Sequence, residues 1–292
     1  MTHPITRREW LAAATAAATA ATLGAAMPKP LGAQLYTVRN ILMKEPDRVF
    51  KTLADIGYTE VEGNRADLVQ LISKVREYGL KPTSCHIETP LVIGKWESYP
   101  DLKPMTLDEA IDSAKKVGVE YFTMAYISPG ARGDNDDFYR RTADQMNMAG
   151  QKCKKAGLQF AYHNHAYEFG GEPGKRPIDI FSERLDGNLV KFELDVFWLS
   201  IAGQDPLEAL KKWKGRVALL HLKDKAKDAP HQFSENVPPG TFKEVGSGVI
   251  DFPAILKAAP AAGVKQYIVE QDQTPGDPLV SLRKSFDYLK TV

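Results

Sequence analysis

Val117-Gly118-Val119-Glu120-Tyr121-Phe122 and Ala156-Gly157-Leu158-Gln159-Phe160 repeat one phrase: the end of a helical stretch, a glycine, then a β-rich run. The phrase returns at Ile56-Gly57-Tyr58-Thr59-Glu60-Val61, Tyr78-Gly79-Leu80, Asp186-Gly187-Asn188-Leu189-Val190, Lys214-Gly215-Arg216-Val217 and Ala262-Gly263-Val264. Glycine accepts the left-handed backbone that closes a helix C-terminus, so each is read as the residue just past a helix. These junctions follow a first strand over 31–36, which makes eight strands. Between them, 66–75 and 107–117 carry apolar residues at helical spacing. Pro46 after Glu45 and Pro206 after Asp205 read as first helical residues. Strand–helix alternation implies a parallel sheet with right-handed crossovers, and eight units close it. The expected fold is α/β: a single-domain (β/α)8 TIM barrel. The first β–α turn, Tyr36-Thr37-Val38-Arg39-Asn40, has no glycine-rich phosphate loop, which argues against a dinucleotide-binding fold.

The first residues form a separate object. Thr6-Arg7-Arg8-Glu9-Trp10-Leu11 is a twin-arginine pattern, followed by an uncharged Ala/Thr-rich run ending in Gly24-Ala25-Ala26. We read residues 1–26 as a twin-arginine signal peptide and 27–292 as the barrel, with a periplasmic location. The apolar run of about 16 residues is too short to span a bilayer, so no membrane span is expected after cleavage. The leader holds two basic residues and one acidic, so the remaining chain balances at 36 of each. No basic patch argues for nucleic acid, and the partner expected is a small, near-neutral molecule. A monomer and a homo-oligomer both stay open. Cys85 falls in a strand and Cys153 in a helix, so two buried thiols are expected rather than a disulfide.

In such barrels chemistry sits at the C-terminal strand ends. Those ends read Glu60-Val61-Glu62, Cys85-His86, His163-Asn164-His165, Glu193-Leu194-Asp195, His221-Leu222-Lys223-Asp224 and Glu270-Gln271-Asp272. Four of the six histidines lie in this set. Any one alone is an ordinary hydrogen-bonded rim residue. Acids and imidazoles from four successive strands facing one axis would repel and desolvate one another unless a cation held them. One divalent metal ion with mixed nitrogen and oxygen ligands satisfies that set.

The chain resembles the xylose isomerase-like TIM barrel superfamily, in the branch called sugar phosphate isomerase/epimerase. The matching residues are Gly32-Ala33-Gln34-Leu35-Tyr36-Thr37-Val38-Arg39, Tyr162-His163-Asn164-His165-Ala166-Tyr167-Glu168-Phe169, Leu194-Asp195 with Trp198, His221-Leu222-Lys223-Asp224 and Gly246-Ser247-Gly248-Val249-Ile250-Asp251. The resemblance implies a four-ligand site for manganese, magnesium, cobalt or zinc. Asp195, His221 and Glu270 fall where the family places ligands on strands six, seven and eight. The strand-five slot, usually Glu in the epimerases, is His163 here. Either His163 ligates, or Glu168 folds back to complete the site; His165, on the same face, could replace His163 or bind substrate.

The implied activity is proton abstraction next to a sugar carbonyl, giving isomerisation or epimerisation. Glu270 is in place as one base, and Glu168 or His163 would be the second. Lys223 could stabilise an enediolate oxygen, assist a leaving group, or simply pair with Asp272 or Glu193. Arg39, Glu62, His86, His165 and Trp198 are expected to contact substrate. The same enolate chemistry would serve a lyase or hydrolase of 3-keto-glycosides, and a non-catalytic sugar-binding protein is the reading from another class. The loops over 88–104 and 225–247 carry Trp96, Tyr99, Phe233 and Phe242, suited to stacking on sugar rings.

Overall fold

The structure, a computed structural model, describes residues 30–133 and 135–292. The expected signal peptide, residues 1–26, lies outside the described residues. Among them, the strands β1 (Leu31–Gln34), β2 (Glu60–Asn64), β3 (Lys81–Ile87), β4 (Tyr121–Met124), β5 (Gln159–His163), β6 (Val190–Asp195), β7 (Val217–Leu222) and β8 (Gln266–Val269) form one closed barrel. Around it the order is β1-β8-β7-β6-β5-β4-β3-β2, and every neighbouring pair is parallel. A helix follows each strand: α1 (Pro46–Ile56), α2 (Arg65–Glu77), α3 (Leu107–Val117), α4 (Asp136–Ala156), α5 (Pro177–Arg184), α6 (Pro206–Lys212), α7 (Phe252–Ala262) and α8 (Pro278–Leu289). The fold is the TIM barrel expected from the glycine junctions.

Local chemistry explains the boundaries. Pro46 and Pro206 open α1 and α6, and Asp205 accepts from the Leu207 N–H at 2.7 Å. Thr106 and Glu109 cap α3 reciprocally, each side chain accepting the other's backbone N–H. Strand β1 stops two residues earlier than expected, because the Gln34 side chain accepts from the Tyr36 N–H and turns the chain. Six of the seven junction glycines have positive φ; Gly187 does not. There the Arg216 guanidinium donates to Ser182 O (2.6 Å) and Leu185 O (2.9 Å), so a side chain satisfies the end of α5 without a left-handed residue.

The main apolar layer lies between strands and helices and includes Phe50, Phe122, Phe160, Phe181, Phe192 and Phe252. Inside the strands a separate small cluster of Tyr121, Ala161, Ala218, Leu219 and Ile268 fills the barrel below the mouth. Cys85 and Cys153 are free and buried. Two register shifts shape the floor of the mouth. Thr83 is an extra residue opposite the Val61/Glu62 step, and Ala218 is one opposite the Phe192/Glu193 step. Such bulges re-aim the side chains beside them, and here these are Glu62 and Glu193.

The long loop after β7 is tied at both ends. Asp224 accepts backbone N–H groups from Lys225, Gly246, Gly248 and Ile250 at 2.8–3.1 Å. A Cβ on Gly248 would stand 2.2 Å from the Lys225 carbonyl oxygen, so only glycine fits there. Midway, Glu235 pairs with Arg132 at 3.1 Å, and the Arg132 guanidinium lies 3.4 Å above the Tyr167 ring.

Candidate metal centre

The strand registers set side chains level with one another around the mouth: Gln34 beside Glu62, His163 beside Glu193, and Asp195 beside His221. Above them opens a cavity of about 900 Å³ lined by, among others, Tyr36, His86, His163, His165, Trp198, Lys223, Glu270 and Asp272. Asp195 is held from two sides. Its N–H donates to Asn164 Oδ1 (3.0 Å), and its Oδ1 caps the short helix Val196–Ile201 by accepting from the Trp198 N–H (2.9 Å). That leaves Oδ2 for the site. The Trp198 ring stacks on His165 with centroids 5.5 Å apart.

Two overlapping groups of candidate ligands result. In the outer group, Asp195, His221 and Glu270 bring one donor atom each within 4.8 Å of one another. The inner group, His86, His163, Glu193 and His221, does the same. His221 belongs to both: Nδ1 lies 2.8 Å from Glu270 Oε2, while Nε2 lies 2.7 Å from Glu62 Oε1. The four expected ligands therefore do not form one set. His163 points Nδ1 at Glu193 (3.2 Å) and stands 3.7 Å from Asp195 Oδ2 through Nε2. The donor types fit a divalent cation, and the buried oxygens Glu62 Oε2 and Glu193 Oε1 have no hydrogen-bond partner.

Lys223 stands in the outer group. Its buried Nζ is 2.8 Å from Glu270, 3.1 Å from Asp195 and 2.6 Å from Asp272, so the pairing with Asp272 exists together with cavity access; Glu193 faces the imidazoles instead. Burial works against the ammonium, but the three carboxylates outweigh it and hold its pKa well above the usual range. Burial likewise opposes ionised Glu270, and Lys223 with His221 overcomes it, keeping that carboxyl below its usual range. Burial pushes Glu193 up to about 7, aided by the nearby Glu62 charge. His163 and His165 are held low by burial, which favours the neutral, metal-competent imidazole.

Three expected site residues fall elsewhere. Glu62 does not line the cavity where substrate would sit: it is wholly buried, accepting from Gln34 Nε2 at 2.6 Å and lying 3.0 Å from His86 Nε2. Arg39 does not line the cavity; it donates to the Tyr36 carbonyl and lies over the Tyr36 ring. Glu168 does not fold back to the metal ligands. Its Oε1 accepts from the Tyr162 hydroxyl (2.6 Å) and its Oε2 from the His165 N–H (2.9 Å), which ties strand β5 to the turn after it. Conversely, the sequence reading misses Glu193 as a candidate ligand, although its alternation with Asp195 signals an inward-facing side chain.

Glu168 offers a measurable consequence. Burial pushes its pKa up to about 7 from an ordinary 4.5, against the lowering by Tyr162. The folded state thus holds a proton that the unfolded chain has released between those values. Its contribution to stability is fully present below the lower value and lost as pH rises through the upper. Glu168→Gln should remove that slope: urea unfolding of wild type relative to the variant is expected to weaken by about 3 kcal/mol across the window.

A closed parallel barrel with a histidine–carboxylate mouth defines the class. The chain belongs to the xylose isomerase-like TIM barrel family, whose model matches residues 50–292. It is similar to a sugar phosphate isomerase/epimerase structure from Parabacteroides distasonis, at 27% identity over 94% of this chain and 96% of that one, with a TM-score of 0.72. It is 31% identical over 166 residues to an inosose dehydratase of Clostridium perfringens, covering 53% of this chain and 55% of the relative. The chain thus spans about half the length of the curated relatives it matches. A 3-keto-D-glucoside 4-epimerase from E. coli shares the fold, at 18% identity over 91% of this chain and all of that one, with a TM-score of 0.64. No described helix is long and apolar enough to cross a membrane.

Proposed function

We propose that the protein is a divalent-metal-dependent sugar enzyme that removes a proton next to a carbonyl and then expels a neighbouring oxygen, as a dehydratase or keto-glycoside lyase does. The carrying observation is that Glu270 and Lys223, 2.8 Å apart, both line the cavity, while no free strand-five carboxylate stands opposite, Glu168 being tied to Tyr162 and His165. A two-base epimerisation needs that second group; a one-base elimination does not.

Glu270, held ionised by its neighbours, takes the proton from the carbon next to the carbonyl. The electrons left behind form the C=C bond as the neighbouring C–O bond breaks. The Lys223 ammonium gives a proton to the departing oxygen, which leaves as water or an alcohol. Proton transfer from Glu270 to Lys223 across their contact restores both groups. Trp198, Tyr126 and Phe242 offer apolar walls that hold the ring and exclude water. A divalent cation held by His221 and its neighbouring imidazole and carboxylate groups would supply fixed positive charge that makes the C–H beside a carbonyl more acidic. Similarity to inosose dehydratases supports this reading. An exported location, resting on the Arg7-Arg8 pattern, belongs to the same proposal and favours free over phosphorylated sugars.

One observation favours epimerisation as a second reading: His165 Nδ1 is buried without a partner on the cavity wall and could act on the other face. The test is to incubate the metal-loaded protein in D2O with an inosose, a 3-keto-glycoside and a ketohexose. Deuterium uptake with release of water or aglycone is expected. Uptake with inverted configuration and no release would replace elimination by epimerisation, and no uptake from any of the three would overturn both.

A further inference from the structure

We propose that the cation position in this chain is the inner set, His86 Nε2, His163 Nδ1, His221 Nε2 and Glu193 Oε2 with Glu62 beside them, and that the Lys223 ammonium is the resident positive charge of the outer set. This deepens, and rests on, the metal-dependent reading above. Glu62 and Glu193 are both wholly buried, and among the described residues every ion-pair partner they have is an imidazole. No lysine or arginine balances them. Two carboxylates can be balanced by one divalent ion while the three histidines stay neutral ligands.

The spacings agree. Glu193 Oε2 is 2.9 Å from His86, 3.2 Å from His163 and 3.7 Å from His221; Glu62 Oε1 is 3.0 Å from His86 and 2.7 Å from His221. Ligands about 2.0–2.2 Å from a shared ion stand roughly 3 Å apart. The second oxygens of both glutamates are buried and meet no donor, so hydrogen bonding alone leaves this set unfinished.

The outer set is already served. The oxygens it would offer a metal, Asp195 Oδ2 and Glu270 Oε2, are the ones Lys223 Nζ touches. A dication on both would stand against a buried ammonium. With the ion on His221 Nε2, the ring's proton sits on Nδ1 and is donated to Glu270 Oε2, so the inner cation orients the base without contacting it. Three imidazoles and carboxylate oxygen suit zinc or cobalt better than magnesium.

The test uses the full chain, stripped with chelator and titrated with cobalt, and reads stoichiometry by elemental analysis and the ligand shell by X-ray absorption. One equivalent with three imidazoles is expected. His86→Ala, at a side chain 14% exposed, and Glu193→Gln should each weaken cobalt binding at least about 100-fold. Glu270→Gln, whose amide oxygen still accepts from His221, should weaken it less than about tenfold. A shell of one or two imidazoles, with affinity lost in Glu270→Gln and kept in His86→Ala, would overturn the placement and leave the elimination standing. Three imidazoles with no deuterium uptake from any substrate would overturn the reaction and leave the placement. No cobalt bound at all overturns the placement and the metal dependence together.

Discussion

Glu270→Gln is expected to lower deuterium uptake and product release by about 100- to 10,000-fold, the range that a positioned general base contributes. The substitution is nearly isosteric, and one amide oxygen can still accept both bonds that Glu270 Oε2 takes, from His221 Nδ1 and Lys223 Nζ. The unfolding midpoint should therefore move by only a few degrees while turnover collapses. Because the lost interaction is made with the leaving proton, the fall should appear in kcat with KM little changed. A variant that keeps a third or more of wild-type turnover would remove Glu270 from the base role.

Lys223→Met should act first on stability. The ammonium is buried among Asp195, Glu270 and Asp272, and removing it leaves three carboxyls without their cation. Breaking a buried pair from one side costs about 3–5 kcal/mol, which for a chain of this size lowers the melting temperature by roughly 10 °C. The sign of the pH dependence separates this from lost packing. Burial pushes Asp272 up to about 6 even with the lysine present. Without the lysine the raised carboxyls favour the protonated form, so the deficit should be full at neutral pH and shrink as pH falls below that value. Thermal melts at pH 5 and pH 8 measure it; an equal deficit at both would assign the cost to packing.

The features legible in the sequence and those hidden from it divide along one physical line. Glycine junctions report chain reversal, a property of a few neighbouring residues, so the alternating barrel was legible almost residue by residue. Gly187 was the exception because Arg216, a distant side chain, did its work. Alternation along a strand reports which way a side chain points, and it brought His86, His163, His165, Lys223 and Glu270 to the cavity wall, where Trp198 joins them from the short helix after β6. It carries no information on depth. Depth depends on stagger between neighbouring strands, and here two extra residues, Thr83 and Ala218, set Glu62 and Glu193 beneath the mouth. The division of one expected ligand set into two is invisible without those registers, whereas the pairing of Lys223 with Asp272 was one of the readings the sequence offered. Arg39 and Glu168 were misplaced for a related reason: each is captured by a local partner, the Tyr36 carbonyl and the β5 turn, before it can reach inward.

The Arg132–Glu235 pair, clamped over Tyr167, makes the entrance lopsided. On that side two loops are stitched together and the rim behaves as a fixed wall. On the opposite side Tyr36, 43% exposed, stands with Asn64 and Asp67, and the hydrogen bond from Asn64 to Asp67 stays within one turn. On the proposed reading, a guest whose reacting end rests at Lys223 would extend its remainder along this flank. An uncharged extension would pass the Asp67 carboxylate without cost, whereas a phosphorylated one would meet like charge on its way in, so the doorway itself would discriminate before any chemistry begins.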